Sequence, residues 1–296
     1  MSLWAYVYER LEDLSEMFKP GNWLWLVSYS GGKDSTLLLL STLVFARERG
    51  FEFSVVYNDS GGDLPEIRDL SYRVMEIVKS LGYKVYVTKP ERTFFDLLLT
   101  KYSPPRWNFR WCCKRLKEEP FKRLALELSK KTPVLNLVGN RREEARWRDW
   151  YIKKGGDRLV YASPLLDLKA EDVWKLLEQL SARVPELGFV YRELKQIYGE
   201  AKRSGCWFCP LIVEDRLLKE RPQLLKLKYQ VLVAWCSGRR EEIVKLSKEY
   251  PHLISVTIKE EEVKNEYYPC GRKCLKCQVP RVVAHLAKSL QEHPQS

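Results

Sequence analysis

The sequence predicts an α/β fold: a doubly wound parallel sheet followed by a mostly helical, cysteine-rich C-terminal region. Three observations predict it. Short apolar or β-branched runs alternate with longer segments whose apolar residues recur at helical spacing. Polar loops at Ser30, Asp59 and Arg141 each follow such a run, as loops at the carboxyl ends of parallel strands do. From about Pro210 the strand signals stop and the chain reads as helical and basic.

The elements follow in order. The first eighteen residues, MSLWAYVYERLEDLSEMF, carry acids among apolar residues and read as an amphipathic helix packed on the body. They lack a signal-peptide layout, and no run of about 18 apolar residues occurs. A cytoplasmic location without membrane contact is expected. Trp23 to Val27 reads as a buried parallel strand, and Thr36 to Arg47 as a leucine-rich helix. Phe51 to Tyr57 is a second strand, Pro65 to Leu81 a helix and Tyr83 to Thr88 a third strand. Thr93 to Thr100 is a short helix, and Lys101 to Arg110 a basic, aromatic, proline-containing loop. Cys112 to Ser129 reads as one helix, Val134 to Val138 as a fourth strand and Leu159 to Ala162 as a fifth. Glu171 to Leu180 is helical, and Pro185 to Gly199 leads to a cysteine pair. The expected division is an N-terminal helix at 1–22, a main nucleotide-binding domain at 23–209 and a helical region at 210–296, with a disordered tail after Leu290. No internal repeat is visible.

With 296 residues, 45% of them hydrophobic and 12% aromatic, the chain can bury a sizeable core. A net charge of +12 suits an anionic partner: a nucleotide, a sulfonucleotide or a nucleic acid. A surface of the thermophile kind, rich in Lys, Arg and Glu, accounts for 30% charged residues equally well. Charge alone does not separate the two. Eight cysteines fall as Cys112-Cys113, Cys206-x2-Cys209, Cys236 and Cys270-x3-Cys274-x2-Cys277. Such clustering in a cytoplasmic chain points to metal or redox chemistry rather than to structural disulfides.

The stretch with the clearest chemistry is Ser30-Gly31-Gly32-Lys33-Asp34-Ser35, between the first strand and the first long helix. Glycines let backbone approach an anion, and the helix amino terminus offers free N–H groups and partial positive charge. Lys33 adds a cation, and Ser30 and Ser35 add hydroxyls. The Walker spacing Gly-x4-Gly-Lys-Ser/Thr is absent. This turn resembles the pyrophosphate loop of the N-type ATP pyrophosphatases. That resemblance implies ATP cleaved between its α and β phosphates, with an oxygen of a substrate adenylated.

Further stretches resemble one branch of that superfamily, the phosphoadenylyl-sulfate (PAPS) and adenylyl-sulfate (APS) reductases with their relatives. Asn58-Asp59-Ser60 with Pro65-Glu66 is similar to the family's Asp-Thr…Pro-Glu segment, and Arg110-Trp111-Cys112-Cys113-Lys114-Arg115-Leu116-Lys117 to its Arg-Trp-Cys-Cys…Lys segment. Gly139-Asn140-Arg141-Arg142-Glu143-Glu144-Ala145-Arg146-Trp147-Arg148 is similar to its Gly-x-Arg-x-x-Glu-Ser-x-x-Arg segment, with Ala145 at the serine position. Ser163-Pro164-Leu165 with Asp172-Val173-Trp174 matches as well. The resemblance spans Trp23 to Leu211. It implies an adenine nucleotide, ATP or APS/PAPS, contacted by the Ser30–Ser35 turn, Asp59, Arg141 and Glu144. Arg141 and Arg148 would grip the acceptor or the α-phosphate, and Asp34 or Asp59 a magnesium ion. Each of these residues also has a plainer reading, as a turn former or a solvated helix start.

In the APS reductases the adjacent pair and the distant Cys-x2-Cys hold one [4Fe–4S] cluster, which implies Cys112, Cys113, Cys206 and Cys209 here. Zinc on the same thiolates is the competing reading. Lys114 and Lys117 could offset the cluster's charge. Cys236 with Cys270, Cys274 and Cys277 could form a zinc site, a second cluster or a set of sulfur-carrying thiols. His252, His285 and His293 show no ligand spacing.

Two departures from the reductases stand out. Their C-terminal Glu-Cys-Gly-(Ile/Leu)-His segment is missing, with Pro269-Cys270-Gly271-Arg272 its nearest relic. The lysine that they usually lack is present as Lys33. Both favour ATP cleavage with sulfur transfer, as in cluster-containing relatives that thiolate tRNA or DNA. A genuine APS or PAPS reductase, with Cys270 as nucleophile and a thioredoxin-like reductant, is the second reading. A non-catalytic nucleic-acid module, stacking bases on Tyr102, Trp107, Phe109 and Trp111, is the third. The first two expect the three polar loops to share one pocket and the mid-chain thiols to face the cleft that holds Lys33. The oligomeric state stays open, a homodimer among the readings.

Overall fold

The computed structural model describes residues 2–102, 105, 109–144, 149–201, 204–209, 216–254 and 257, with Arg216 and Cys236 described in backbone only. The residues form two compact units. The first comprises the chain up to Asn58, Glu66–Thr88 and Phe121–Ile197; the second comprises Asp59–Pro65, Lys89–Pro120 and the described residues from Tyr198 onward.

The first unit holds a six-stranded sheet. Its strands are β1 (Leu24–Tyr29), β2 (Ser54–Asn58), β3 (Lys84–Thr88), β4 (Val134–Leu137), β5 (Ile152–Gly156) and β6 (Leu159–Ala162), in the order β3-β2-β1-β4-β6-β5. Neighbours from β3 to β6 pair in parallel, while β5 pairs antiparallel with β6. The interior of the sheet is buried on both faces, so its central strands read as near-continuous apolar runs. The predicted doubly wound parallel sheet is therefore present, with one correction. The edge strand β5 was not expected, because all five of its residues are exposed and an edge strand needs no apolar face.

Helices cover both faces. On one face lie α1 (Leu3–Met17), α2 (Lys33–Arg49) and α7 (Ala170–Arg183), which pack on one another. Helix α2 is apolar all round because it is enclosed all round: every residue from Ser35 to Ala46 is buried. It ends at Gly50, whose positive φ of 69° sets a left-handed cap, with its N–H on the Ala46 carbonyl at 2.9 Å. On the same strands, Trp25 turns toward Phe45 of α2. Leu26 turns the other way, into a cluster with Val56, Val134, Leu159 and Ala125 of α6 (Glu119–Lys131). Helix α3 (Pro65–Ser80) carries proline at its first position, where the missing N–H costs nothing.

In the second unit are α4 (Phe94–Thr100), α5 (Trp111–Cys113) and α9 (Arg216–Lys219), with α10 (Pro222–Cys236) and α11 (Arg240–Glu249). The helix α8 (Val190–Tyr198) ends the first unit's share of the chain. The single helix expected over Cys112 to Ser129 is interrupted. A π-helical turn, Lys114–Glu118, separates α5 from α6. Such turns widen the helix by one residue, and the sequence signals for them resemble those of ordinary helix. Helix α4 has a capping box: the Asp96 N–H donates to Thr93 Oγ1 at 3.1 Å and the Thr93 N–H to Asp96 Oδ2 at 3.0 Å. The fully buried Asp96 carboxylate also accepts from the Thr257 N–H and Oγ1, each at 2.7 Å. Asp96→Ala should lower the urea midpoint by an amount worth roughly 3 kcal/mol, since it unmakes charge-assisted bonds in a dry site. An unchanged midpoint would show that this clasp adds nothing.

Candidate active site

In the first unit the strand order reverses between β1 and β4, which opens a crevice at their carboxyl ends. The turn after β1 and the loop after β4 lie side by side there. Two glycines make the approach possible. Gly31 has a φ of +73°, and a Cβ on it would stand 2.3 Å from Ser71 Oγ and 2.8 Å from Ile67 Cγ2 of α3. A Cβ on Gly139 would stand 3.0 Å from the Asp34 carbonyl carbon and 3.1 Å from the Ser35 nitrogen, so that glycine lets the β4 loop rest on the start of α2. Gly31→Ala combines a left-handed backbone with a steric clash and should cost about 2–4 kcal/mol. The expected result is a lowered thermal midpoint.

The turn itself is closed by its own hydroxyls. Ser35 Oγ donates to the Gly32 carbonyl at 3.0 Å and accepts from the Ser30 N–H at 3.1 Å. Gly32 is the N-cap of α2 and its carbonyl also accepts from the Thr36 N–H and Thr36 Oγ1, both at 2.9 Å. Lys33 opens α2 and is only 2% exposed; its ammonium lies 2.8 Å from Asp34 Oδ2. The other carboxylate oxygen, Oδ1, lies 2.5 Å from Nε of Arg141, which is 4% exposed. Arg141 Nη1 reaches Glu143 Oε2 at 2.7 Å. One carboxylate thus holds two buried cations at a helix amino terminus, where backbone amides and the helix dipole add partial positive charge.

Of the residues the sequence singles out, the structure gathers Ser30, Gly31, Gly32, Lys33, Asp34, Ser35 and Arg141 in this crevice of the first unit. Glu144 ends a 3₁₀ turn, Arg142–Glu144, in the same unit. The exposed Arg142 pairs with Asp149 and Asp167 rather than with the turn. Arg146 and Arg148 lie outside the described residues. The contact of Arg141 with Asp34 joins positions 107 apart, and no local signal announces it.

Asp59 starts the second unit and is 3% exposed; its Oδ1 accepts from the Gly61 N–H at 3.2 Å, a turn of the Asx kind. The same unit holds Cys112, Cys113, Cys206 and Cys209, all half-buried and none of them in a disulfide. The sulfurs feel one another. The Cys112 thiol is raised by its hydrogen bond to Cys113, by burial, and by the charges of Cys113, Cys209 and Cys206. Cys113 is lowered to about 6, first by that bond and then by Lys117 and Arg110. Burial pushes Cys206 up to about 11. The Cys206 charge in turn raises Lys117, whose Nζ lies 3.9 Å from Asp63 Oδ1.

The segment carrying the second pair is seated by backbone and rings. The Trp207 N–H donates to the Gly62 carbonyl at 2.9 Å, and the Cys209 N–H to the Cys206 carbonyl at 2.9 Å. A Cβ on Gly62 would stand 3.0 Å from Cys206 Sγ and 2.7 Å from Phe208 Cζ. Phe208 stacks on Phe94 at 4.0 Å, Phe94 on Trp111 at 5.3 Å, and Trp111 on Tyr102 at 4.6 Å. Tyr102 and Trp111, expected as base-stacking rings, are thus engaged in this column, while Phe109 is half exposed; Trp107 lies outside the described residues. Among the described residues, no three His, Cys, Asp or Glu side chains meet the geometry of a single shared metal ion. Cys236 ends α10, and Cys270, Cys274 and Cys277 lie outside the described residues, as do His285, His293 and the tail after Leu290. His252 sits in a turn, exposed. No helix among the described residues is long and apolar enough to cross a membrane.

A sequence model of the phosphoadenosine phosphosulfate reductase domain matches residues 25–211, more than half of the chain. The chain belongs to this family. Two uncharacterized proteins of Methanocaldococcus jannaschii are relatives of this family member. MJ0973 is 29% identical over 225 residues, covering 73% of this chain and 49% of its own length. MJ0066 is 28% identical over 213 residues, covering 68% and 39%. The chain therefore spans about half the length of the first of these relatives and less of the second. Among solved structures it is similar to the PAPS reductase of Candida auris in a phosphate complex, with a TM-score of 0.41, 18% identity, and 64% of this chain and 85% of that one covered. It is also similar to the U34-tRNA thiolase NcsA of Methanococcus maripaludis with its [4Fe-4S] cluster, with a TM-score of 0.39, 14% identity, and coverage of 78% and 77%.

Proposed function

We propose that this member of the PAPS reductase family binds ATP at the Ser30–Ser35 turn, cleaves it between the α and β phosphates, and uses the adenylate to drive sulfur chemistry. The observation that carries the reading is the meeting of Lys33 and Arg141, both nearly wholly buried, at the amino terminus of α2. The presence of Lys33, which sulfonucleotide reductases usually lack, supports it further.

In this reading the Gly31 and Gly32 amides and Lys33 hold the pyrophosphate portion, and Arg141 takes oxygens of the α-phosphate. Asp34, with both oxygens engaged by cations, keeps those cations aimed until a polyphosphate competes for Lys33. Magnesium enters as part of the nucleotide complex. An acceptor oxygen attacks the α-phosphorus, the bond to the bridging oxygen breaks, and pyrophosphate leaves with that electron pair. The charge that develops is met by groups already in place, which is where electrostatic catalysis is most effective. Arg148 belongs to the acceptor side of this proposal, and Glu144 to the contacts of the adenine nucleotide.

The four mid-chain thiols suit an iron–sulfur group by their chemistry: four sulfurs in mutual electrostatic contact, a thiolate favoured at Cys113, and the cations Lys117 and Arg110 beside them. Cys112, Cys113, Cys206 and Cys209 would hold a [4Fe–4S] cluster, and when bound it would supply a site for sulfur. A bare Gly62 keeps room next to Cys206. Zinc and the second group of cysteines, Cys236, Cys270, Cys274 and Cys277, are a separate proposal that metal analysis of a Cys274→Ser variant decides.

The test is turnover of anaerobically purified protein with ATP, APS and PAPS in parallel. Pyrophosphate from ATP is the expected product. Sulfite from APS or PAPS, lost in Cys270→Ser and without pyrophosphate from ATP, would replace this reading with a reductase.

A further inference from the structure

The sheet brings together basic residues from three stretches that the nucleotide turn does not use. Helix α6 packs on the sheet through Ala125, Leu124 and Leu128, which leaves Lys122, Arg123, Lys130 and Lys131 on its outer, exposed side with Leu126. Next along the same face is the antiparallel edge. Lys153 pairs across the ladder with Tyr161, so the two share a face. The Tyr161 ring lies 6.1 Å from Phe121 of α6, and Lys153 Nζ stands 5.9 Å from the half-buried Trp150 ring. The third stretch is the tight connection from β5 to β6. Arg158 Nη1 and Nη2 donate to the Lys130 and Lys131 carbonyls at 3.5 and 3.2 Å, which ties the hairpin to the carboxyl end of α6. Lys154, on the other side of the exposed strand, completes the edge. On these stretches the exposed carboxylates are Glu127 and Asp157, and the part-buried Glu119 at the start of α6 pairs with Arg115 at 2.7 Å.

We propose that the outer side of α6 and the β5–β6 hairpin form a docking surface for the phosphate backbone of a structured nucleic acid. Charge complementarity carries the choice of partner. An extended run of Lys and Arg, in a chain of net charge +12, matches a polyanion whose charges repeat along its length. The aromatic ring beneath Lys153 adds a face on which a base can stack. Exposed apolar side chains, which a protein partner would need as anchors, are confined here to Leu126 and Ile152. The surface is independent of the nucleotide reading, because Lys33 and Arg141 take no part in it.

The experiment uses the full chain and a fluorescein-labelled RNA hairpin, with binding followed by anisotropy across a salt series. K130S/K131S and K122S/K153S remove two charges each from the surface; K79S/K175S removes two from exposed positions on α3 and α7. Each surface double variant should bind roughly tenfold more weakly, with the slope of log affinity against log salt shallower by about 2. The control double variant and K33M should bind as the parent does, and thermal midpoints should stay level. Equal losses in the control would reduce the effect to overall charge and overturn the proposal. So would unchanged binding in the surface variants, or competition by polyglutamate or phosphatidylserine vesicles as strong as by unlabelled RNA.

Discussion

Replacing Lys33 with methionine should cut pyrophosphate release from ATP by about a hundredfold to a thousandfold, while circular dichroism and the thermal midpoint barely move. Methionine keeps most of the apolar stem that fills this nearly sealed position, which is 2% exposed, and removes only the charge. Asp34 keeps Arg141 as a partner at 2.5 Å, so the carboxylate is not stranded. The loss expected is that of one preorganised cation facing charge that grows in the transition state. KM for ATP should rise less than kcat falls, because much of the contact is made as the pyrophosphate departs. Lys33→Ala serves as the harsher comparison. Full activity in both variants would remove the proposed role of the Ser30–Ser35 turn, whatever the fate of the RNA-binding surface.

The second large effect is expected at the thiols. Anaerobically purified protein should carry about four iron atoms per chain at the mid-chain site, with a broad visible absorption. Cys112→Ser and Cys206→Ser should each lose most of that iron and the colour. Each removes one thiolate from a set whose members already sense one another's charge. The two replacements act from segments 94 positions apart, so a shared loss shows that both reach one site. Pyrophosphate release should survive in part, since the adenylation groups lie in a separate stretch of chain, whereas sulfur transfer should stop. One zinc atom per chain, colourless and lost in the same variants, would assign the site to zinc. Iron retained in both variants would dissociate these cysteines from any cluster.

How much of this was legible in the chain depends on whether the signal is local. The turn at Ser30–Ser35 is a contiguous pattern of glycine, lysine and hydroxyl between an apolar strand and a leucine-rich helix, and each part acts on its immediate neighbours. Strands β1, β2, β3, β4 and β6 were recognisable from short apolar runs, with ends off by a few residues. β1, for instance, continues past Val27 to Tyr29, because Ser28 and Tyr29 still pair with Val56 and Tyr57. Strand β5 was invisible, since Ile-Lys-Lys-Gly-Gly lacks both alternation and an apolar face; its conformation comes from pairing with β6. The π turn at Lys114–Glu118 was invisible too, because an extra residue in a helical turn leaves the apolar spacing almost unchanged.

The amino-acid order by itself determined the fold class, the family and the position of the glycine–lysine turn, because backbone preferences and the period of apolar residues act over a few positions at a time. Tertiary structure alone decided that Arg141 closes on Asp34, that Gly139 and Gly31 are bare for lack of space, and that α6, β5 and Arg158 share one basic face. Those are contacts between residues far apart in the chain. They are set by which strands lie side by side and which helix covers them, a matter of packing that no short stretch of sequence contains.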